Sequence, residues 1–199
     1  MPKIAATGAP GSGKTTLMKM LSQAFALPHV ESPIRKTVAE AGLVERIDQA
    51  PPHDRSYLQW EILIAQIAAE SRYPSYFADR SVGDYLVYWE RNVPPPHLRA
   101  FADYMTVVKR HMWRYDAILL LPLNPDGVTP EPGRIHEDPE RFDHAIREWL
   151  KTFGVWDRVI EIKADGPHER SVEALEALID RQVFGVHFAG LARAAGLAQ

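Results

Sequence analysis

Residues 8–15 read Gly-Ala-Pro-Gly-Ser-Gly-Lys-Thr, and this octapeptide constrains the fold more than any other part of the chain. It matches the pattern G-x-x-x-x-G-K-[ST] in full, follows an apolar run at residues 4–6, and leads into an apolar helical segment at residues 17–21. A strand, a glycine-rich turn and a helix in that order direct successive backbone N–H groups and the helix N-terminus at one anion. The segment therefore predicts a loop that binds the phosphates of a nucleoside triphosphate.

The residues of this loop have separate expected parts in binding. Lys14 is expected to reach the β- and γ-phosphates, and Thr15 to ligate Mg²⁺. Glycine is needed where the backbone approaches a ligand closely or takes a positive φ. The predicted nucleotide-contacting residues are Gly8, Ala9, Pro10, Gly11, Ser12, Gly13, Lys14, Thr15 and Thr16.

Length and composition limit the remaining possibilities. With 199 residues and no cysteine, the chain is predicted to form one domain over 1–199, without disulfides, zinc-thiolate sites or thiol nucleophiles. The lack of a signal-peptide pattern and of any long apolar stretch predicts a soluble, cytoplasmic protein that does not contact membranes. A net charge of −3 disfavours broad binding to nucleic acid, but basic segments at 99–114 and 134–147 could still form one surface for a polyanion.

Apolar strands alternate with helical stretches along the chain, which predicts an α/β fold. Strands are expected at about 3–7, 29–31, 76–78, 118–121 and 158–163, and helices at about 13–25, 55–72, 83–91, 97–114, 139–153 and 169–184. A connection rich in proline and glycine from 124 to 133 has the length of a functional lid. The tail at 185–199 is either a docked short helix or a frayed end.

Two carboxylates follow predicted strands, at the edge where open α/β sheets bind ligands. Phosphoryl transfer usually needs a carboxylate that accepts the proton of the acceptor hydroxyl or holds the metal, and Glu31 and Asp79 are the candidates. In one interpretation Asp79 holds Mg²⁺, directly or through water, and Glu31 is the base. The reverse assignment is open, as is a role for either as a helix cap or ion-pair partner. Arg80 is expected to face a phosphate or the acceptor, a structural salt bridge being the alternative.

A second group of candidates lies in the basic segment that ends the long connection. Arg134 and Arg141 are predicted lid arginines, and Arg147 is a weaker candidate, because a basic segment that closes over a triphosphate supplies charge and excludes water. A solvated, charged loop is the alternative. The lid is expected at about 124–140.

The helix predicted at 55–72 and the residues after Arg80 offer candidates for the acceptor cleft. Such residues can stack on a base or bond to its polar edge, although core packing is the alternative for the tryptophan. The candidates are Tyr57, Gln59, Trp60, Gln66, Asp84, Tyr85 and Tyr88. The eight histidines show no ligand spacing, so no structural metal is predicted.

With these residues in view, the sequence resembles the P-loop kinases of the nucleoside and nucleotide kinase group, especially a small AAA-type ATPase/kinase family related to ribosylnicotinamide kinases. The resemblance spans about 3–163. It rests on the GAPGSGKTT loop, the segment from Glu31 to Arg35, the helix at 59–70, the FADRSVGDYLVY segment from Phe77, and Arg134 with residues 137–140. It implies a three-layer P-loop NTPase/kinase fold with a parallel sheet of about five strands, helices on both faces and a lid, and ATP and Mg²⁺ as cofactors.

The resemblance also suggests a function. The positions of Glu31 and of Asp79-Arg80-Ser81 look like those of deoxynucleoside kinases, which implies that Glu31 is the base and that Asp79 contacts the metal. The leading hypothesis is an enzyme that moves the γ-phosphate of ATP to a hydroxyl of a small-molecule nucleoside or nucleotide. A variant, implied by relatives in base-hypermodification pathways, takes a hydroxymethylated pyrimidine within DNA as the acceptor.

An ATP-hydrolysing switch module is the alternative from another class. Its nucleotide state would control a protein partner through the helices between Ser81 and Arg114. The apolar strand at 118–121 is followed by Pro122 rather than by a pair of carboxylates, and this favours the kinase.

Overall fold

The centre of the molecule is a parallel sheet whose five strands are short and apolar. The structure is a computed structural model that describes residues 1–43, 47, 50–94, 98–123 and 138–184. Its strands are β1 (Lys3–Thr7), β2 (His29–Val30), β3 (Tyr76–Ala78), β4 (Ala117–Leu120) and β5 (Val159–Glu161), in the order β2-β3-β1-β4-β5. All four strand pairings are parallel, which fits strands that are buried on both faces.

Seven helices of the described residues surround this sheet. They are α1 (Lys14–Phe25), α2 (Ile34–Glu40), α3 (Pro52–Glu70), α4 (Val82–Asn92), α5 (Leu98–Met112), α6 (Pro139–Thr152) and α7 (Pro167–Asp180). Several bounds agree with the sequence pattern because local signals set them. Asp138, for example, caps α6 by accepting a hydrogen bond from Arg141 N at 3.1 Å, and Pro139 occupies the first helical position.

Alternation along the strands creates two apolar cores, one on each face of the sheet. Ala5 and Ile118 belong to one buried cluster, whereas their neighbours Ile4 and Leu119 belong to the other. Helices α2 to α6 cover the first cluster, and α1 and α7 cover the second. The result is the predicted three-layer α/β arrangement with helices on both faces.

Helix α3 runs antiparallel to the strands, which fixes what lies at each edge of the sheet. Glu70, its last residue, accepts a hydrogen bond at 2.8 Å from the hydroxyl of Tyr76, the first residue of β3. The N-terminal half of α3 therefore extends beyond the carboxyl edge, where ligands bind in such sheets. The described helices include none with the length and apolar character to cross a bilayer.

Two predicted segments lie largely outside the described residues. Residues 124–137 comprise most of the predicted lid, including Arg134, and residues 185–199 comprise the tail. Between 138 and 140, the end of the predicted lid is the cap and first turn of α6.

Candidate nucleotide-binding site

The loop between β1 and α1 has a backbone that requires glycine. Gly8 has a φ of +133°, and a Cβ atom there would lie 2.7 Å from the carbonyl oxygen of Leu121, which follows β4. Gly13, at the N-cap of α1, has a φ of +86° and is left-handed. Residues that carry a Cβ atom rarely adopt these backbone conformations, so the two glycines allow the turn that leads from the central strand into the helix.

Lys14 folds back over this loop. Its ammonium donates hydrogen bonds to the carbonyl oxygens of Gly8 at 2.8 Å and Ala9 at 2.6 Å, and to Ser12 Oγ at 3.1 Å. The residue is only 5% exposed. A buried charge is costly unless its donors are satisfied, and the loop itself satisfies them here.

Thr15 and Asp79 meet at the carboxyl edge of the sheet. Thr15 Oγ1 lies 3.3 Å from Asp79 Oδ2, although the two residues are 64 positions apart in the sequence. Asp79 directly follows β3, and its backbone N–H donates to Val30 O at 3.0 Å, which fixes the start of its side chain beside β2. The two residues predicted to serve the metal are therefore neighbours.

His29 is a partner of Asp79 that the sequence did not reveal. Its Nε2 lies 2.6 Å from Asp79 Oδ1, so that each carboxylate oxygen of Asp79 has a different neighbour. His29 belongs to β2, and the pairing of β2 with β3 brings the two side chains together. The sequence shows only a histidine in one predicted strand and an aspartate after another, and it does not show that these two strands are neighbours in the sheet.

Oxygen ligands of this kind suit magnesium. Mg²⁺ is usually held by one or two protein oxygens together with substrate phosphates and several waters. Thr15 and Asp79 supply a hydroxyl and a carboxylate beside the phosphate-binding loop. No cluster of three or more acidic, histidine or cysteine ligands occurs among the described residues, and a magnesium site that is completed by a triphosphate needs none.

Asp84, in the first turn of α4, is fully buried next to the carboxyl edge of the sheet. Its Oδ1 accepts a short hydrogen bond from the hydroxyl of Thr7, the last residue of β1, and another from Ser81 Oγ at 3.4 Å. Its Oδ2 lies 3.1 Å from Nη1 of Arg80. Burial raises the pKa of the Asp84 carboxyl, while the positive charges of Arg80 and Lys14 oppose that rise.

Arg80 is held from two sides. Asp84 pairs with its guanidinium, and the ring of Tyr88 lies 5.3 Å from the guanidinium carbon. The salt bridge that was the alternative for Arg80 is thus present. It also orients the guanidinium at the carboxyl edge of the sheet, because Arg80 is the second residue after β3.

Glu31 lies at the surface directly after β2. Its Oε1 is 3.6 Å from Lys19 Nζ of α1, with the side chains 69% and 51% exposed. It does not cap α2, because the N-cap position is Pro33 and no side chain bonds there. The helix-cap role is therefore excluded, the weak surface pair with Lys19 is present, and the assignment of Glu31 as the base stays a prediction.

A chain of buried polar groups runs from this edge into the interior. The hydroxyl of Tyr85 lies 3.2 Å from Ser32 Oγ and donates to Gln66 Oε1 at 2.9 Å. Gln66 Nε2 in turn donates to Glu70 Oε1 at 2.7 Å. Gln66 and Tyr85 were expected to border the acceptor, and the structure places both at 0% exposure within this chain of hydrogen bonds.

Gln59 is on the same side of α3 as Gln66, about two helical turns nearer the N-terminus. Its side chain is buried, with the residue 1% exposed, yet neither Nε2 nor Oε1 has a hydrogen-bond partner among the described residues. Buried amides without partners are uncommon in folded proteins. Gln59 therefore has a buried amide donor and acceptor, neither bonded within the described part of the chain, beyond the carboxyl edge of the sheet.

The aromatic candidates separate into two groups. Trp60 packs edge-on against Trp89 and Tyr104, with ring centroids 6.5 Å and 5.0 Å away, so the core-packing alternative describes it. Tyr57 is 63% exposed and lines an open cleft between α2 and α3, away from Gln59. Tyr88 stays at the edge through its contact with Arg80.

The basic lid candidates have different surroundings. Arg141 is an exposed residue in the first turn of α6, directly after the predicted lid. Arg147 bridges two carboxylates, with Nε 2.7 Å from Asp143 Oδ2 and Nη1 2.6 Å from Glu161 Oε1. The structure therefore gives Arg147 a structural role between α6 and β5, while Arg134 lies outside the described residues.

The fold and the site together define a class of protein. A phosphate-binding loop after the central strand of a five-stranded parallel sheet, with helices on both faces, is the architecture of the P-loop NTPases and kinases. The family model described as an AAA domain matches residues 3–170, and the chain belongs to this family.

Solved structures agree with this assignment of fold. NadR protein in complex with NR superposes with a TM-score of 0.71 at 20% identity, over 90% of this chain and 51% of that one. Deoxyadenosine kinase from M. mycoides, with dCMP and dCDP bound, superposes with a TM-score of 0.67 at 16% identity, over 89% of this chain and 99% of that one. Shikimate kinase from Acinetobacter baumannii in complex with shikimate superposes with a TM-score of 0.54 at 13% identity, over 90% of this chain and 93% of that one.

The chain thus spans about half the length of the NadR chain that it matches. A search of curated proteins gave no match by sequence.

Proposed function

We propose that this protein is an ATP-dependent phosphotransferase that moves the γ-phosphate of ATP to a hydroxyl group of a nucleoside or nucleotide acceptor. The observation that carries the proposal is the meeting of Thr15 and Asp79 at 3.3 Å beside the phosphate-binding loop. A second carboxylate, Glu31, follows the adjacent strand and is exposed. In this proposal Asp79 serves the metal and Glu31 serves the acceptor.

In this proposal the loop residues bind the triphosphate. The loop formed by residues 8–16 surrounds the phosphates with its backbone N–H groups, which all of these residues except Pro10 have, and Lys14 exchanges its loop carbonyls for the β- and γ-phosphate oxygens. Thr15 and Asp79 hold Mg²⁺, which neutralises phosphate charge when it is bound. Arg80, oriented by Asp84, supplies a further positive charge at the same edge.

The reaction needs only ATP and the acceptor as reactants. The acceptor hydroxyl gives its proton to Glu31, and its oxygen forms a bond to the γ-phosphorus. The bond from that phosphorus to the β,γ-bridging oxygen breaks, and ADP leaves. The proposal treats 1–199 as one domain. Arg134, in the predicted lid before α6, and Arg141, in the first turn of α6, exclude water from the site in this proposal.

The unpartnered amide of Gln59 supports an acceptor that contains a heterocyclic base. An amide offers one donor and one acceptor, which can pair with the polar edge of such a base. Two structural neighbours support the same class of acceptor, since NadR was solved in complex with NR and the deoxyadenosine kinase with dCMP and dCDP bound. A site that is built to hydrogen-bond a ligand rejects analogues that leave its groups unpaired.

The test follows γ-labelled ATP with Mg²⁺ into candidate acceptors. The panel contains nucleosides, nucleoside monophosphates, ribosylnicotinamide, and DNA with and without hydroxymethyluracil, beside a tube without acceptor. Transfer into a free nucleoside or nucleotide, absent in Lys14→Ala, would support the proposal. Transfer into DNA alone would move the acceptor to a base within DNA, and equal phosphate release in every tube would instead favour the ATP-hydrolysing switch.

Gln59→Leu tests the base-binding part of the proposal. Because the substitution removes an unsatisfied buried amide, stability should hold, while the KM for the acceptor should rise by about tenfold or more with the KM for ATP unchanged. Gln23→Leu, at an exposed position of α1, is the matched control. An unchanged acceptor KM in Gln59→Leu would remove Gln59 from the site.

A further inference from the structure

Arg170 reaches from α7 to the phosphate-binding loop. Its Nη1 donates a hydrogen bond to the carbonyl oxygen of Ser12 at 2.6 Å, across a sequence separation of 158 residues. Its Nε donates to the carbonyl oxygen of Ala164, between β5 and α7, at 2.7 Å. Arg170 is 5% exposed, so one buried guanidinium connects the loop to the segment between β5 and α7.

The hydrogen bond to Ser12 fixes the orientation of one peptide unit. The Ser12 carbonyl and the Gly13 N–H belong to the same planar trans peptide and therefore point in opposite directions. When Arg170 holds the carbonyl oxygen on its own side, the Gly13 N–H points to the other side of the loop strand. The guanidinium also lies close to Gly13 itself, because a Cβ atom there would be 3.0 Å from Nη1.

The Arg170 guanidinium has no ion-pair partner among the described residues. Both of its partners are backbone carbonyls, and no carboxylate among the described residues lies within 4.0 Å of the guanidinium. Nη2 is buried without a hydrogen-bond partner in that part of the chain. A buried cation with an unused donor is unfavourable for stability alone, so the arrangement points to a role for Arg170 in holding the Ser12 carbonyl in place.

We propose that Arg170 is a nucleotide-positioning residue, which holds the Ser12–Gly13 peptide so that the Gly13 N–H faces the bound phosphates on the other side of the loop. The proposal rests on nucleotide binding by the loop and not on the identity of the acceptor.

The test measures nucleotide binding directly and is therefore separate from phosphate transfer. Calorimetric titration of ADP and ATP with Mg²⁺ should give a Kd at least about tenfold weaker for Arg170→Met than for the wild type, because a bonded charged donor is lost. The melting temperature should change little, since the substitution also removes an unpaired buried charge. Arg181→Met is the control, because Arg181 is an exposed arginine at the end of α7 that bonds to Asp157 O at 3.1 Å.

Arg170→Lys separates charge from geometry. Lysine keeps the charge but cannot bond to Ser12 and Ala164 with one planar fork, so its Kd should lie between those of the wild type and Arg170→Met. In ¹⁵N-resolved spectra the Gly13 amide signal should shift in both variants before nucleotide is added. A wild-type Kd in Arg170→Met, or in Arg170→Lys if the methionine variant does not fold, would overturn the proposal, as would equal weakening in Arg181→Met.

Discussion

His29 Nε2 lies 2.6 Å from Asp79 Oδ1, while Asp79 Oδ2 faces the hydroxyl of Thr15 at 3.3 Å. The imidazole thus occupies one oxygen of the carboxylate and leaves the other directed at the phosphate-binding loop. Groups that orient a metal-binding carboxylate by a hydrogen bond affect the affinity of the site for the metal. His29 is therefore a supporting residue of the proposed magnesium site.

Asp79→Asn should raise the Mg²⁺ concentration needed for half-maximal phosphate transfer by about 10-fold to 100-fold, because the amide cannot replace the carboxylate charge. The measurement is a magnesium titration at saturating ATP. Asp116→Asn is the control, since Asp116 pairs with the backbone of Lys3 at the amino edge of the sheet. An unchanged magnesium requirement in Asp79→Asn would contradict the assignment.

Glu31→Gln should lower kcat by about 100-fold to 10,000-fold if Glu31 accepts the proton of the acceptor, with the KM for ATP nearly unchanged. The exposed pair with Lys19 is lost as well, but such pairs contribute only about 0–1 kcal/mol to stability. Glu40→Gln provides the matched control, because Glu40 is an exposed carboxylate paired with Lys36 on α2. A wild-type kcat in Glu31→Gln would leave Glu31 as a surface ion-pair partner only.

Glu70→Ala should lower the free energy of unfolding by about 3–5 kcal/mol, because it strands the donors that surround a buried carboxylate. Those donors are the side chains of Gln66, Tyr76, His111 and Tyr115. Burial and the nearby carboxylate raise the pKa of both tyrosine hydroxyls, so they stay protonated.

Denaturant titration measures this loss of stability. Glu148→Ala, at an exposed pair with Lys151, should change stability by no more than about 0.5 kcal/mol. A loss of similar size in the two variants would show that the buried bonds around Glu70 contribute little.

Asp84 should make stability depend on pH. Its carboxyl has a raised pKa in the folded protein, against a usual value of 3.8, so the folded state holds the proton more tightly than the unfolded chain does. The stability contributed by this group is complete below that usual value and is lost as the pH rises through the folded-state pKa. The free energy of unfolding of the wild type minus that of Asp84→Asn should therefore fall with rising pH.

Denaturant titrations of both proteins from pH about 3.5 to 8 give this difference directly, because asparagine does not titrate. A difference that instead grows with pH would mean that Arg80 and Lys14 lower the pKa of Asp84 more than burial raises it.

The parts of the fold that depend on local signals could be predicted from the sequence. The glycine pattern located the loop, the apolar runs located the strands, and Pro139 after Asp138 located the start of α6. Strand ends then placed Asp79 at the carboxyl edge because parallel strands share that edge.

The contacts that depend on distant residues could not be predicted. The bond from Arg170 to Ser12 spans 158 positions, and the pair of His29 with Asp79 exists only because β2 and β3 are neighbours. Trp60 has the same sequence character whether it stacks on a ligand or on Trp89, and only tertiary packing distinguishes the two. Arg147 likewise lies near the predicted lid in sequence but pairs with Asp143 and Glu161 in space.

The hydrogen bonds that the Lys14 ammonium makes to its own loop compete with any ligand that binds there. This ammonium has two carbonyl oxygens and one hydroxyl among its partners. A ligand gains from Lys14 only if its own oxygens are better partners than these three. Phosphate oxygens carry negative charge whereas carbonyl and hydroxyl oxygens do not, so an exchange of partners at Lys14 rewards anionic ligands over uncharged ones.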